Sequence, residues 1–219
     1  MKNNSLLDAA LVTKAMAPTP WDLGNQVLYD LCREHPGHTE EQAVIAKILL
    51  IGRTYAASIE RRKGGDDLKG DRFYLQRVVP TVLTSDLDEW LSEARASEPG
   101  TPRGIETLVK VHDRTMKLFQ QISGLENRSL ASKYLHFHVP RLFCIFDARA
   151  TAALRKLNDE LPRSPKHETN GDPEYGRFVE RCEALRKHCD SKLQLALSPR
   201  QLDNLLLRVH ESNDSAPSE

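Results

Sequence analysis

Between residues 44 and 59, apolar side chains fall at Val44, Ile45, Ile48, Leu49, Ile51, Tyr55 and Ile59. Steps of three and four mark an α-helix, and this set covers much of the helix circumference. Such a helix belongs at the centre of a fold, and Gly52 within it allows a neighbour to approach closely. The same period recurs along the chain. Val27, Leu28, Leu31 and Cys32 share a face in a helix from about 20 to 34, ended by HPGH. Ile105, Leu108, Val109, His112, Met116, Phe119 and Ile122 do so in a helix ending near 123. Phe178, Cys182, Leu185 and Cys189 form a third stripe, and Leu202, Leu205, Leu206 and Val209 a fourth. The expected fold is all-α, a helical bundle built as one domain or two closely packed helical subdomains over 1–212, with a disordered tail at 213–219.

Start and stop signals divide these stripes. Thr39 and Gln42 have the spacing of a capping box, opening a helix that the apolar pattern carries to about 62. The polar, glycine-containing RRKGGDDLKGDR reads as a loop. Residues 73–83 fit either a short strand or a helical turn, and Pro80 argues against a central strand. Ser85, followed by Asp88 and Glu89, opens a helix to about 96, and SEPGTPRG breaks the chain after it. A helix follows Asp147 to about 157, then the proline-rich LPRSPKHETNGDPEYG. Ser198-Pro199 pairs an N-cap with a first helical residue.

Composition excludes several classes. At 219 residues the chain can bury a sizeable core. No apolar run approaches the roughly 18 to 20 residues that a membrane helix needs. The N-terminus lacks a signal peptide's continuous apolar centre, so a cytoplasmic location and no membrane partner are expected. Cys32, Cys144, Cys182 and Cys189 are scattered among apolar neighbours, as buried free thiols would be. No CxxC pair has metal-ligand spacing, and His136 and His138 point in different directions on a helix. No metal and no cofactor are expected. GRTYAA has too few glycines for a nucleotide-binding loop, and GK[ST] does not occur.

Charge is uneven. The 31 basic and 31 acidic residues cancel overall, which counts against a nonspecific nucleic-acid binder. Between residues 128 and 156, however, Arg128, Lys133, Arg141, Arg149, Arg155 and Lys156 face a single acid, Asp147. Within this stretch, LENRSLASKYLHFHVPRLFCIFDARA, a polar turn leads into a helix carrying Ser129 and Lys133. An apolar run then ends in Asp147 at the start of another helix. An amine and a carboxylate brought together are the groups that cleave an N-glycosidic bond: the carboxylate stabilises oxocarbenium character, and a neutral amine attacks C1′. Structural roles stand beside these, with Asp147 as a helix N-cap, Ser129 as a helix cap and Lys133 as a surface lysine.

The same residues resemble the helix-hairpin-helix DNA glycosylases, in particular the small 8-oxoguanine-glycosylase-like proteins of bacteria. That family has a hairpin L-P-G-x-G-x-K-x-A, with the catalytic aspartate about 18 residues beyond the lysine. Aligning Ala131 with the motif alanine puts Ser129 at the lysine position, and Asp147 follows 18 residues later. KILLIGRTYAASIERR and SLASKYLHFHVPRLFCIFD extend the resemblance over about half the chain, from 43 to 154. It implies a hairpin and catalytic segment at about 120–157, with Asp147, Lys133 and Ser129 as catalytic residues; the scattered cysteines leave no motif for the iron–sulfur cluster that some branches carry. Departures are concentrated in the hairpin, where Asn127 and Ser129 replace glycine and lysine. Asparagine tolerates the positive φ of such a turn. Lys133 sits one helical turn beyond Ser129 on the same face.

As implied by the resemblance, the chain would be a monomer acting on DNA with a flipped-out damaged or modified base. It would serve repair or defence against phage, with or without lyase activity through Lys133. Arg53, Tyr55, Arg61, Arg128, Arg141 and Arg149 are the candidate DNA contacts. Arg53, inside an apolar helix, needs either an internal acid or a ligand phosphate as partner. Trp21 and Phe137 either stack on an extruded base or pack in the core. The competing reading is a non-catalytic all-helical DNA-binding or protein-interaction module derived from that fold.

Overall fold

The computed structural model describes residues 6–61, 68, 70–162 and 170–212, with Arg61 described in its backbone only. The expected tail at 213–219, most of the 61–72 loop and part of the proline-rich loop lie outside the described residues. Every regular element among the described residues is helical: α1 (Ala9–Met16), α2 (Pro20–Glu34), α3 (Glu41–Thr54), a 3₁₀ turn (Ile59–Arg61), α4 (Asp71–Phe73), a π-helical turn (Tyr74–Val78), α5 (Val79–Leu83), α6 (Leu87–Ala96), α7 (Pro102–Ser123), α8 (Arg128–His138), α9 (Ala148–Lys156), α10 (Pro173–Leu193) and α11 (Pro199–Glu211). The chain is all-α, and none of these helices is long and apolar enough to cross a membrane.

Two local expectations need correction, and one open choice is settled. The Thr39–Gln42 capping box does not form, because α3 is entered from Glu40 without a side-chain cap. α3 also stops at Thr54, short of 62, although its apolar pattern continues. Ala56 takes a left-handed φ of 51° and the Ala57 N–H reaches back to the Gly52 carbonyl at 2.8 Å. A Cβ on Gly52 would lie 3.2 Å from the Ser58 backbone, so the neighbour that approaches this glycine is the chain's own returning segment. Residues 73–83 are helical, and Pro80 is accommodated by widening the helix ahead of it. The Val79 N–H bonds five residues back to the Tyr74 carbonyl, opening the turn into which the proline ring projects.

α7 and α8 form the centre. α7 is opened by Thr101, whose hydroxyl accepts from the Gly104 N–H at 3.0 Å, and closed by Gly124 at φ 74°. α8 has no solvent face over most of its length, since every residue from Leu130 to His138 is buried. It packs against α7, α3 and α2, while α11 lies across α9 and α1. All four cysteines are buried free thiols.

Candidate functional site

The hairpin between α7 and α8 holds its shape through side chains. Gly124 supplies the left-handed turn, while Asn127 keeps a negative φ of −100°. The Asn127 amide instead donates to Ser123 Oγ at 2.6 Å and to the Leu125 carbonyl at 2.9 Å. That carbonyl also receives the Ser123 hydroxyl at 3.1 Å, so the turn is closed on itself.

Beyond α8 the chain doubles back along the helix it has just left. His136 Nδ1 bonds the Phe143 carbonyl at 2.8 Å. Ser132 Oγ accepts from the Phe146 N–H at 3.0 Å and donates to the Ser129 carbonyl at 3.0 Å. These ties walk the returning segment one turn at a time toward the start of α8 and deliver Asp147 beside Lys133. The two oxygens of Asp147 then divide their work. Oδ1 caps α9 by accepting from Ala150 N–H at 2.9 Å, and Oδ2 lies 3.7 Å from Lys133 Nζ.

The amine of Lys133 reaches the position that alignment assigns to the motif lysine. It donates to Ser129 Oγ at 2.9 Å and to the Tyr55 carbonyl at 3.3 Å, and lies 5.6 Å from the centre of the Tyr55 ring. Its side chain is only 5% exposed. Burial therefore pulls the ammonium below its usual range; the charges of Asp147 and Asp203 oppose this, and Arg149 adds to it. Tyr55 caps α3, donates its hydroxyl to Asn25 Oδ1 at 2.7 Å and sets its ring edge against Phe137. Burial raises its phenol to about 12. Phe137 is a core residue, wedged between Tyr29 and Tyr55, whereas Trp21 is 74% exposed at the start of α2.

Several residues at the site carry no local signal. His136 accepts from, or donates to, the Tyr29 hydroxyl at 2.7 Å. With Nδ1 donating to a carbonyl, Nε2 is bare and Tyr29 is the donor. Burial lowers His136 to about 4, keeping it neutral. From α11, Arg200 Nη1 holds Asp203 Oδ2 at 2.6 Å, and Arg200 Nε reaches Asp22 of α2 at 3.4 Å. Asp203 is buried, and its carboxyl is pushed up to about 6 by that burial against the pull of Arg200. One signal could have found it: an acid set inside the apolar stripe Leu202, Leu205, Leu206, Val209.

The arginines disperse. Arg149 is exposed one residue into α9, close enough for its charge to act on Lys133 and Asp203. Arg53 takes the internal partner, Glu60 at 3.0 Å, at an exposed end of α3. Arg128 is bound by Asp172, by Glu174 at 2.9 Å and by Glu126 at 3.3 Å. Arg141 is exposed and donates to the carbonyls of Arg95 and Ser97, at the far end of α8 from Ser129. The side chain of Arg61 lies outside the described residues. Two cavities lie away from the amine–carboxylate pair, one of about 340 Å³ bounded by Tyr29, Phe137 and His138, the other of about 190 Å³ against α10. No group of three or more potential metal ligands occurs among the described residues.

No protein-family model matches the chain, and neither a curated protein nor a solved structure matches it.

Proposed function

We propose that the chain is a DNA glycosylase of the helix-hairpin-helix kind, releasing a damaged or modified base in repair or in defence against phage. One observation carries this reading. A buried lysine, one helical turn from the motif position, directs its amine back to Ser129 and lies 3.7 Å from the aspartate at the family spacing. Burial favours the neutral amine that nucleophilic attack requires. Asp147 stabilises the positive charge developing on the sugar. The Lys133 amine adds to C1′ as the base departs with the bonding pair and takes up a proton. Ring opening then leaves an iminium, and loss of a C2′ proton expels the 3′ phosphate, giving lyase activity.

The test uses duplex and single-stranded oligonucleotides carrying 8-oxoguanine, uracil or modified cytosines. Borohydride should trap a covalent complex with the wild-type chain and none with Lys133→Met. Asp147→Asn should lower base release by about 10²- to 10⁴-fold. Base release unchanged in Asp147→Asn refutes the mechanism. The tethering of Arg128 by three carboxylates favours a second reading, a helical module in which Lys133 and Asp147 are a buried ion pair. Salt-sensitive DNA binding without turnover on any of these substrates would select it.

A further inference from the structure

Three buried histidines lie on α8 or against it, and their ring nitrogens fare differently. His38 is bound by Asp88 and by the Tyr134 hydroxyl, each at 2.5 Å. His136 is bound by the Phe143 carbonyl and by Tyr29. His138 meets the rings of His38 and Tyr134, yet neither of its nitrogens has a hydrogen-bond partner. A buried polar group left in that state is rare and calls for a cause. His138 is only 7% exposed, and it lines the cavity of about 340 Å³.

The other walls of this cavity define what would complete it. Tyr29 and Phe137 present aromatic rings, 4.8 Å apart between centroids, beside the Cys32 thiol, which burial raises to about 12 and so keeps neutral. Arg33 of α2 and Arg95 of α6 are exposed and line it as well. Arg33 pairs with Asp30 at 2.7 Å, and Arg95 reaches the Pro36 carbonyl at 3.4 Å. Each of these contacts uses one nitrogen of a guanidinium that carries five N–H groups. Among the described residues lining the cavity there is no acid. The buried Lys47 amine adds positive charge behind Pro36, donating to the carbonyls of His35 and Gly37. Burial, with the charges of His38, Lys47 and Arg95, holds His138 well below its usual range. Its imidazole is therefore neutral and offers one donor and one acceptor.

Cations at an exposed mouth, aromatic rings beside them and an unpaired neutral imidazole are complementary to a planar heterocycle with an anionic tail. We propose that this cavity binds a nucleoside monophosphate, with the phosphate on Arg33 and Arg95, the base against Tyr29 and Phe137, and its polar edge on His138. The volume is near the lower end of the roughly 300–1,000 Å³ usual for ligand pockets, which suits one nucleotide. His138 lies nine residues beyond Ser129, about 14 Å along α8, so the cavity is separate from the amine–carboxylate pair.

Calorimetric titration of the full chain with AMP, GMP, CMP and UMP tests the assignment. At least one should bind with a Kd below about 1 mM, with its nucleoside and inorganic phosphate each about tenfold weaker. Arg95→Gln, at an exposed position, should weaken that nucleotide about tenfold through loss of a charge-assisted contact. His138→Phe should weaken it and erase discrimination among the four bases. Binding of none of the four overturns the inference, as does phosphate that binds as tightly as the nucleotide, or an affinity unchanged in Arg95→Gln. Should His138→Phe fail to fold, the wild-type imidazole resonances decide: those of His138 must shift on saturation, and unshifted signals overturn the inference. Lys133→Met should bind the nucleotide as wild type does, and a loss there would place the ligand at the amine and overturn this site. The titration needs no base release, so the glycosylase reading and this cavity stand or fall separately.

Discussion

Asp203 should leave a measurable mark on folding stability. Its carboxyl stands near 6 in the folded chain against 3.8 for an unperturbed aspartate. Because the folded value is raised, the native state binds the proton more tightly than the unfolded chain does. The resulting stabilisation is fully present below the unfolded value and is lost as pH rises through the folded one. The whole effect amounts to about 3 kcal/mol, from roughly two pKa units at 1.36 kcal/mol each. Between about pH 7.5 and pH 5 only part of it is sampled, worth on the order of 1 kcal/mol by linkage. Other titrating groups, including buried histidines, change stability over the same range, so the useful quantity is a difference. Urea unfolding of wild type and Asp203→Asn at both pH values gives it. Relative to Asp203→Asn, the wild-type chain should gain on the order of 1 kcal/mol on acidification. A wild-type-minus-variant difference that is the same at both pH values refutes the buried, proton-binding carboxyl.

Arg128 and Gly104 give two further expectations. Asp172 is 2% exposed in its side chain and depends on Arg128, so Arg128→Ala should destabilise the chain by about 3 to 5 kcal/mol in urea unfolding, through a buried unpaired carboxylate. A small loss would mean that Asp172 finds water or another donor. A Cβ at Gly104 would run into the Glu98 carbonyl at the entrance of α7. Gly104→Ala should therefore lower the thermal midpoint despite alanine's better helix propensity, and a raised midpoint would contradict the close approach.

Which parts of this architecture a sequence reveals depends on how local the deciding interaction is. α2 and α7 end where their stripes and caps say they should, because amphipathic period and Gly124 act within a turn or two. Asp147 was visible for the same reason: an aspartate before ARATAAL caps a helix whatever surrounds it. The early end of α3 was not, since the apolar pattern runs on through Ile59 and the break rests on a left-handed Ala56 that composition does not mark. The fold-back of 139–146 rests on Ser132 and His136, two polar residues on a helix with no solvent face. Their partners are backbone groups 14 and 7 residues away. Asp203 is set by packing that is more distant still, since α11 is buried against α9 and α1.

The burial of Asp203 also bears on whether it serves the fold. Lys133 would be satisfied as a structural tie by Ser129 and the Tyr55 carbonyl alone, and Asp147 by the start of α9. Neither needs a further acid nearby. Asp203 brings one, in a place where its ionised form is disfavoured even with Arg200 at 2.6 Å. A purely structural Arg200–Asp22 link between α11 and α2 would tolerate asparagine or an apolar residue at 203 with little loss, since buried ion pairs seldom improve on well-packed neutral contacts. A buried carboxyl whose ionised form is disfavoured where it stands weakens folding at neutral pH instead of supporting it. If the asparagine variant is more stable than wild type at neutral pH in urea unfolding, the acid is not kept for the fold; a less stable variant shows that the Arg200–Asp203 pair is structural.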